Sequence, residues 1–400
     1  MMRKTLKPWI CVILSVLLIA LAASAVSEDK QDVQRWMESA AEAHQKQDYE
    51  TALHYSELAA KAGSTDALLM AAGYYYYGMG TEQSVERAAE YLQMAADQGD
   101  SEAQAWLGSI YYYGSGLEQD YEKALKCLLP AADQGNAAAQ QLLGDMYLFG
   151  NGVEASMETS LEYTRQAAEQ GNAQALNTLG WQYENGRGVE QDYDKAVEYY
   201  QKAADLGDTA AMVNLGWMYE NGSGVEQDYD KAVEYYQKAA DLGDTMAMVN
   251  LGWMYESGTG VDQSYEKAVE FYQLASEQGD AEAQAYLGLL YEFGDGVELS
   301  YEKALHYFQL SADQGNSIGQ WGMGQMYQFG LGVELSYEKA AEYYQLSADQ
   351  NDPDGLECLG YLYLNGLGVE QSMDKAIELY RQAAALGSEE AQLQLALYAD

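Results

Sequence analysis

This sequence predicts an all-α solenoid, an array of antiparallel helix pairs stacked one on the next. Three observations carry that prediction. Glycine recurs at Gly108, Gly144, Gly180, Gly216, Gly252, Gly288, Gly324 and Gly360, always 36 residues apart, with Ala72 in the matching place before them. A tyrosine follows three residues later in every copy, from Tyr75 through Tyr219 to Tyr363, and then a Gly-x-Gly pair, from Gly78 and Gly80 to Gly366 and Gly368. Residues 184–208 and 220–244 are identical but for Arg187 against Ser223. A fixed period of about 20 to 50 residues is the mark of a repeat architecture. Verbatim repetition also suits a stacked surface better than a catalytic centre, which needs unlike groups converging on one reacting atom.

The N-terminus stands apart from the array. Arg3, Lys4 and Lys7 precede the apolar run 9–23, which closes on Ala23-Ser24-Ala25. That is the layout of a secretory signal cut after Ala25. The run is short for a bilayer span of roughly 20 residues, so the mature chain is expected to carry no integral span; an uncleaved anchor is the alternative. Cys11 sits inside the run, away from the cleavage point, which speaks against a lipoprotein. Residues 26–64 follow as a helix pair without Gly-x-Gly, then nine 36-residue repeats over 65–388, then a capping helix over 389–400.

Within each repeat the punctuation is that of two helices. The mid-helix glycine of the first helix costs about 1 kcal/mol relative to alanine, so its recurrence calls for close approach of the second helix, with Ala196, Ala232 and their counterparts small on the other side. Tyr219, Tyr235, Tyr236 and their repeats are expected as bulk around that contact. The second helix opens at Ser84, Asp120, Ser156, Asp192, Asp228, Ser264, Ser300, Ser336 or Ser372, N-cap residues followed two positions on by an acid such as Glu86, Asp194 or Asp374, which complements the helix dipole. Gly99, Gly135, Gly171, Gly207, Gly243, Gly279 and Gly315 suit left-handed caps at its end. Asp100, Asn136, Asn172, Asp208, Asp244, Asp280 and Asn316 come next and can cap the following first helix. Pro130, inside a second helix, is expected to kink it or end it early.

The full pattern, Ala-x-x-x-Leu-Gly-x-x-Tyr, Gly-x-Gly-Val, then Asp/Ser-Tyr-x-Lys-Ala-x-x-Tyr-Tyr-x-x-Ala-Ala-x-x-Gly, resembles the Sel-1-like repeat family, relatives of the tetratricopeptide repeats. The resemblance implies a right-handed superhelical solenoid with an inner face made mainly by first helices. It also implies a scaffold or adaptor role, in the manner of exported bacterial members that are periplasmic or secreted.

Charge narrows the partner. The net charge is −42, and loss of 1–25 removes three of the 21 basic residues and none of the 63 acidic ones, leaving −45. Such a surface repels phosphate backbones, so nucleic acid is not expected, while a protein or peptide partner, a basic one included, is compatible with the charge, and a monomer is expected. Tetratricopeptide geometry, carried over by the resemblance, turns the residues one, four and five after the mid-helix glycine toward the concave side. There lie Trp181, Trp217 and Trp253, then Glu184, Glu220 and Glu256, then Asn185 and Asn221. Indoles beside carboxylates suit a cationic or amphipathic peptide. The competing reading is that these tryptophans are shared through recent duplication and pack between neighbouring first helices.

No catalytic constellation is present. His44, His54 and His306 are scattered, and only Cys127 and Cys358 lie outside the signal, so neither a nucleophile system, nor a metal site, nor a disulfide framework, nor a cofactor is expected. Gly-x-Gly here follows a helix and lacks Gly-Lys-Ser/Thr, so it reads as turn chemistry. Two alternatives remain. Cysteine-rich relatives in the family are described as binding or hydrolysing β-lactams, but this chain lacks their paired cysteines. The acidic solenoid could also serve as a cation-binding envelope protein.

Overall fold

The computed structural model describes residues 28–397, and every element among them is an α-helix. The N-terminal segment through Ala25, with Cys11 and the cleavage position, lies outside the described residues, as does Tyr398. The chain divides into two compact units, Met1–Leu206 and Gly207–Asp400. The first contains α1 (Glu28–Gln45), α2 (Tyr49–Lys61), α3 (Thr65–Tyr77), α4 (Val85–Asp97), α5 (Ser101–Tyr113), α6 (Tyr121–Asp133), α7 (Ala137–Phe149), α8 (Met157–Glu169), α9 (Ala173–Asn185) and α10 (Tyr193–Asp205). The second contains α11 (Thr209–Asn221), α12 (Tyr229–Asp241), α13 (Thr245–Ser257), α14 (Tyr265–Glu277), α15 (Ala281–Phe293), α16 (Tyr301–Asp313), α17 (Ser317–Phe329), α18 (Tyr337–Ala348), α19 (Pro353–Asn365), α20 (Met373–Ala385) and α21 (Glu389–Leu397). In each unit consecutive helices pair antiparallel, and each pair stacks on the one before it, so each unit is an α-solenoid.

The caps sit where the sequence puts them. Ser84, Asp120 and their seven counterparts accept a hydrogen bond from the backbone N–H three residues on. Asp100, Asn136, Asn172, Asp208, Asp244, Asp280 and Asn316 do the same for first helices. The loop between the helices needs glycine for a steric reason as well as a torsional one. A methyl group on Gly368, at φ 67°, would fall 2.2 Å from the Tyr337 carbonyl carbon, because each turn is seated on the start of the preceding second helix. Where the glycine after α18 is missing, Asn351 takes the left-handed conformation at φ 61°, a role asparagine tolerates.

Pro130 does not end its helix early. Helix α6 keeps the same 13 residues as its neighbours, with Pro130 inside it. Pro130 and Lys126, whose carbonyl loses its helical donor, both lie on the exposed side, where the carbonyl is open to solvent and the lost bond costs little. The Gln134 amide donates to the Pro130 carbonyl at 3.1 Å and ties down the last turn.

The mid-helix glycines face a side chain of the second helix in the same repeat. A methyl on Gly216 would lie 2.5 Å from Tyr236 Cε1, and one on Gly252 would lie 2.4 Å from Tyr272 Cε1. The ring, rather than the alanine four residues before it, is the main obstacle; Ala232 and Ala268 are completely buried beside it. Tyr200, Tyr236, Tyr272, Tyr344 and Tyr380 are the largest buried tyrosines in this column, with Phe308 standing among them. A second aromatic layer runs alongside: Tyr219 stacks on Tyr235 at 5.8 Å and 7°, and the Lys231 ammonium lies over the Tyr219 ring at 4.7 Å. The same grouping of lysine, tyrosine and stacked aromatic recurs at Lys267, Tyr255 and Phe271 and at Lys303, Tyr291 and Tyr307. These lysines are thereby committed to their own repeat.

Overpacking of this kind costs roughly 1–3 kcal/mol. Gly252→Ala is therefore expected to lower the melting temperature. Gly360→Ala, where the nearest ring atom of Tyr380 is 3.0 Å away, is expected to lower it less. Thermal denaturation of the two variants checks both the sign and the order.

Candidate functional site

The face built by first helices carries the residues that the sequence singles out. In the second unit Trp217 on α11 and Trp253 on α13 occupy equivalent places on consecutive first helices. They keep 45% and 43% of their surface exposed. Further along the same column come half-buried Leu289 and Gln325, then Tyr361, which is exposed. Trp181 on α9 belongs to the first unit and is half-buried there.

The neighbouring carboxylates have a second employment that sequence reasoning missed. Tyr236 Oη donates to Glu220 Oε2 at 2.8 Å, and Tyr272 Oη donates to Glu256 Oε2 at 2.9 Å. In the first unit Tyr200 Oη donates to Glu184 Oε2 at 2.5 Å. A buried phenol without a partner would cost about 1–3 kcal/mol, so these glutamates satisfy the core from the edge of the face. Burial raises the Glu256 carboxyl above its ordinary value, with Asp295 adding to the rise and the Tyr272 hydroxyl opposing it. The signal was available as a pairing: glutamate four residues after the glycine coincides with tyrosine sixteen residues further on. Asn185 and Asn221 bond back onto their own helix, donating their amides to the Trp181 and Trp217 carbonyls at 2.9 Å, while remaining exposed.

One glutamate of this column lacks its tyrosine. Glu292 on α15 stands where Glu220 and Glu256 stand, but its counterpart is Phe308, which has no hydroxyl. Glu292 is 8% exposed, and its Oε2 is buried without a hydrogen-bond partner. Burial pushes its carboxyl up to about 6. The next repeat solves the same problem with a neutral group, Tyr344 Oη donating to Gln328 Oε1 at 2.6 Å. In the first unit Asp145, in the tryptophan column, is buried and pushed up to about 7, opposed by a hydrogen bond from the Gln141 amide.

Among the described residues no group of three or more histidine, cysteine or acidic side chains is placed to hold a metal ion. Cys127 and Cys358 are free and half-buried, their thiols raised by burial to about 11. His44 is engaged with the Tyr74 hydroxyl at 2.8 Å. No helix among the described residues is long and apolar enough to cross a membrane.

The raised acids make stability depend on pH with a definite sign. A carboxyl whose folded value exceeds its unfolded one holds its proton more tightly when folded. For Glu292 the penalty is absent below the ordinary 4.5 and complete once pH has risen past about 6; it amounts to about 2 kcal/mol. Glu292→Gln and Phe308→Tyr, the latter supplying the missing hydroxyl, are both expected to raise the melting temperature at pH 7.5 and leave it nearly unchanged at pH 4.5. Equal shifts at both values would show that ionisation of Glu292 is not the cause.

The chain matches the Sel1 repeat family over residues 43–64, 65–100, 101–136, 137–172, 173–208, 209–244, 245–280, 281–316, 317–352 and 359–388. No curated protein matches it significantly. Among solved structures it is similar to a protective antigen present in uropathogenic Escherichia coli strains and displaying an SLR fold, at 32% identity and a TM-score of 0.61, over 92% of this chain and 82% of that one. It is also similar to a Sel1 repeat protein from Oxalobacter formigenes, at 31% identity and a TM-score of 0.56, over 77% of this chain and 90% of that one. With the repeat model matched along nearly its whole described length, this chain belongs to the Sel1 repeat family.

Proposed function

We propose that this protein is an exported, non-enzymatic scaffold that binds a protein or peptide partner through the face of its first helices, with Trp217 and Trp253 as the contact residues in the second unit. The observation that carries the reading is the exposure of two indoles on consecutive helices, 45% and 43%, where a packing role would bury them. Tryptophan at the centre of a surface patch is the residue type most enriched among binding hot spots. Sel1 repeats are a protein-interaction fold, which favours a scaffold over an enzyme. Export is supported by the N-terminal layout and by the likeness to a protective antigen.

The partner this face suits is basic. Glu220 and Glu256 flank the indoles, and the cation–π and charge terms act together on an ammonium or guanidinium group. The lysines of the same repeats, Lys231 and Lys267, are stacked over Tyr219 and Tyr255 and do little to neutralise the field.

Trp217→Ala and Trp253→Ala are each expected to weaken capture of the partner from an envelope fraction by about tenfold or more, with the melting temperature held within a degree or two. A fall in melting temperature accompanied by unchanged capture would assign the indoles to packing and remove the proposal.

A further inference from the structure

A further patch emerges where two consecutive repeats depart together from the rest. Eleven residues after the mid-helix glycine or its alanine counterpart, Gln83, Gln119, Gln191, Gln227, Gln263 and Gln371 each donate a side-chain hydrogen bond of 2.8 Å to the carbonyl seven residues earlier. That amide closes the turn from outside. In repeats 281–316 and 317–352 the position holds Leu299 and Leu335, which cannot donate. In the same two repeats the last residue of the first helix, Asn221, Ser257 or Asn365 elsewhere in the unit, becomes Phe293 and Phe329.

All four apolar side chains face solvent, Phe293 and Phe329 at 63% and 59% exposure and Leu299 and Leu335 at 49% and 50%. They form one strip. Leu299 and Leu335 lie over Gly294 and Gly330, the residues directly after the phenylalanines, and a methyl on either glycine would meet the leucine Cβ at 3.2 or 3.3 Å. The second turn is seated on the first repeat: a methyl on Gly332 would lie 3.1 Å from the Tyr301 carbonyl oxygen, and Tyr301 itself is exposed. In the first unit Phe149 is equally exposed, but it is paired with Ala155 and flanked by repeats that keep the glutamine. Losing two turn hydrogen bonds to expose four large apolar groups gains the isolated chain nothing, and a contiguous apolar patch with a polar rim marks a contact surface.

The rim selects the occupant. Glu298, Glu302, Glu334 and Glu338 are exposed around the strip, whereas the lysines there, Lys303 and Lys339, lie over the Tyr291 and Tyr327 rings. A second copy of a chain with net charge −42 and an anionic lipid surface are both repelled. One repeat step is roughly the 8–10 Å between packed helix axes, and seven residues of α-helix rise about 10.5 Å. We propose that the strip Phe293, Leu299, Phe329 and Leu335 is a docking site for a cationic amphipathic helix. Apolar residues of that helix at i and i+7 meet the two phenylalanine–leucine pairs, and its flanking lysines or arginines meet the glutamate rim. The site shares no residue with the tryptophan site: Phe293 and Phe329 continue the column of Asn221 two and three repeats further along, and separate variants tell the two sites apart.

The experiment measures fluorescence anisotropy of a labelled lysine–leucine peptide of about 18 residues with leucine at i, i+3, i+4 and i+7, titrated with the full chain. A scrambled peptide of the same composition serves as control. The variant combines Phe293→Asn, Leu299→Gln, Phe329→Asn and Leu335→Gln, residues that sister repeats carry at these positions, with Leu299→Gln and Leu335→Gln as a milder pair. The expected result is an affinity for the patterned peptide at least about tenfold lower in the fourfold variant, an intermediate loss in the pair, a melting temperature not lower than wild type, and weak binding of the scrambled peptide throughout. Equal binding of both peptides by the wild type, or equal binding by wild type and fourfold variant, overturns the proposal. So does a loss confined to Trp217→Ala with Trp253→Ala, which would place the peptide on the tryptophan repeats instead. If the fourfold variant instead loses self-association in sedimentation, or binding to phosphatidylglycerol vesicles, with peptide affinity unchanged, the strip belongs to a second copy or to lipid and the helix proposal fails.

Discussion

A helix residue without a side chain, set against a ring from the neighbouring helix, is the contact on which these repeats depend. Gly216 against Tyr236 and Gly252 against Tyr272 leave no room for a methyl group, so the helix pair can close only because the first helix accepts the conformational cost of glycine at its centre. Closure brings the ring column into complete burial, and burial of the rings and the alanines beside them is what holds each pair together. The same glycine fixes which side of the first helix turns inward. The residues one, four and five positions later are thereby committed to a common edge.

That commitment couples the core to the surface through a single hydroxyl. A buried tyrosine needs an acceptor, and the nearest one is the glutamate at the edge of the face. The face therefore carries acidic groups partly because the core requires them. Where Phe308 replaces the tyrosine, Glu292 stays in place without its donor and its proton affinity rises. The chain tolerates this in one repeat, while the following one keeps the hydroxyl and uses Gln328 instead.

Comparing repeats position by position separates packing from surface. Alanine 16 residues after the mid-helix glycine and the ring or aliphatic group four residues beyond it are buried in nearly every copy. The tryptophan column and the turn-edge column change from repeat to repeat. Variation is informative here because the framework around it is constant: a change from Gln263 to Leu299 alters one surface spot and leaves the backbone that presents it alone. An array of this kind can carry separate contact patches on successive repeats without redesigning its interior.

Much of this was legible from the residues alone. The 36-residue period, the caps and the glycine at each turn are local in origin, since each depends on backbone torsion or on a side chain reaching its own helix end. The close approach at the central glycine could be inferred because nothing else accounts for a recurring helix-weakening residue. Other features depended on which atoms meet across helices. The ring that fills the space opposite glycine, the hydroxyl that reaches Glu220, and the exposure of Trp217 and Trp253 were settled by the distance and rotation between packed helices, which periodicity does not encode. Pro130 belongs with them: its residue type forecasts a broken helix, but its carbonyl partner faces water, and only the packed structure decided which side of the helix that would be.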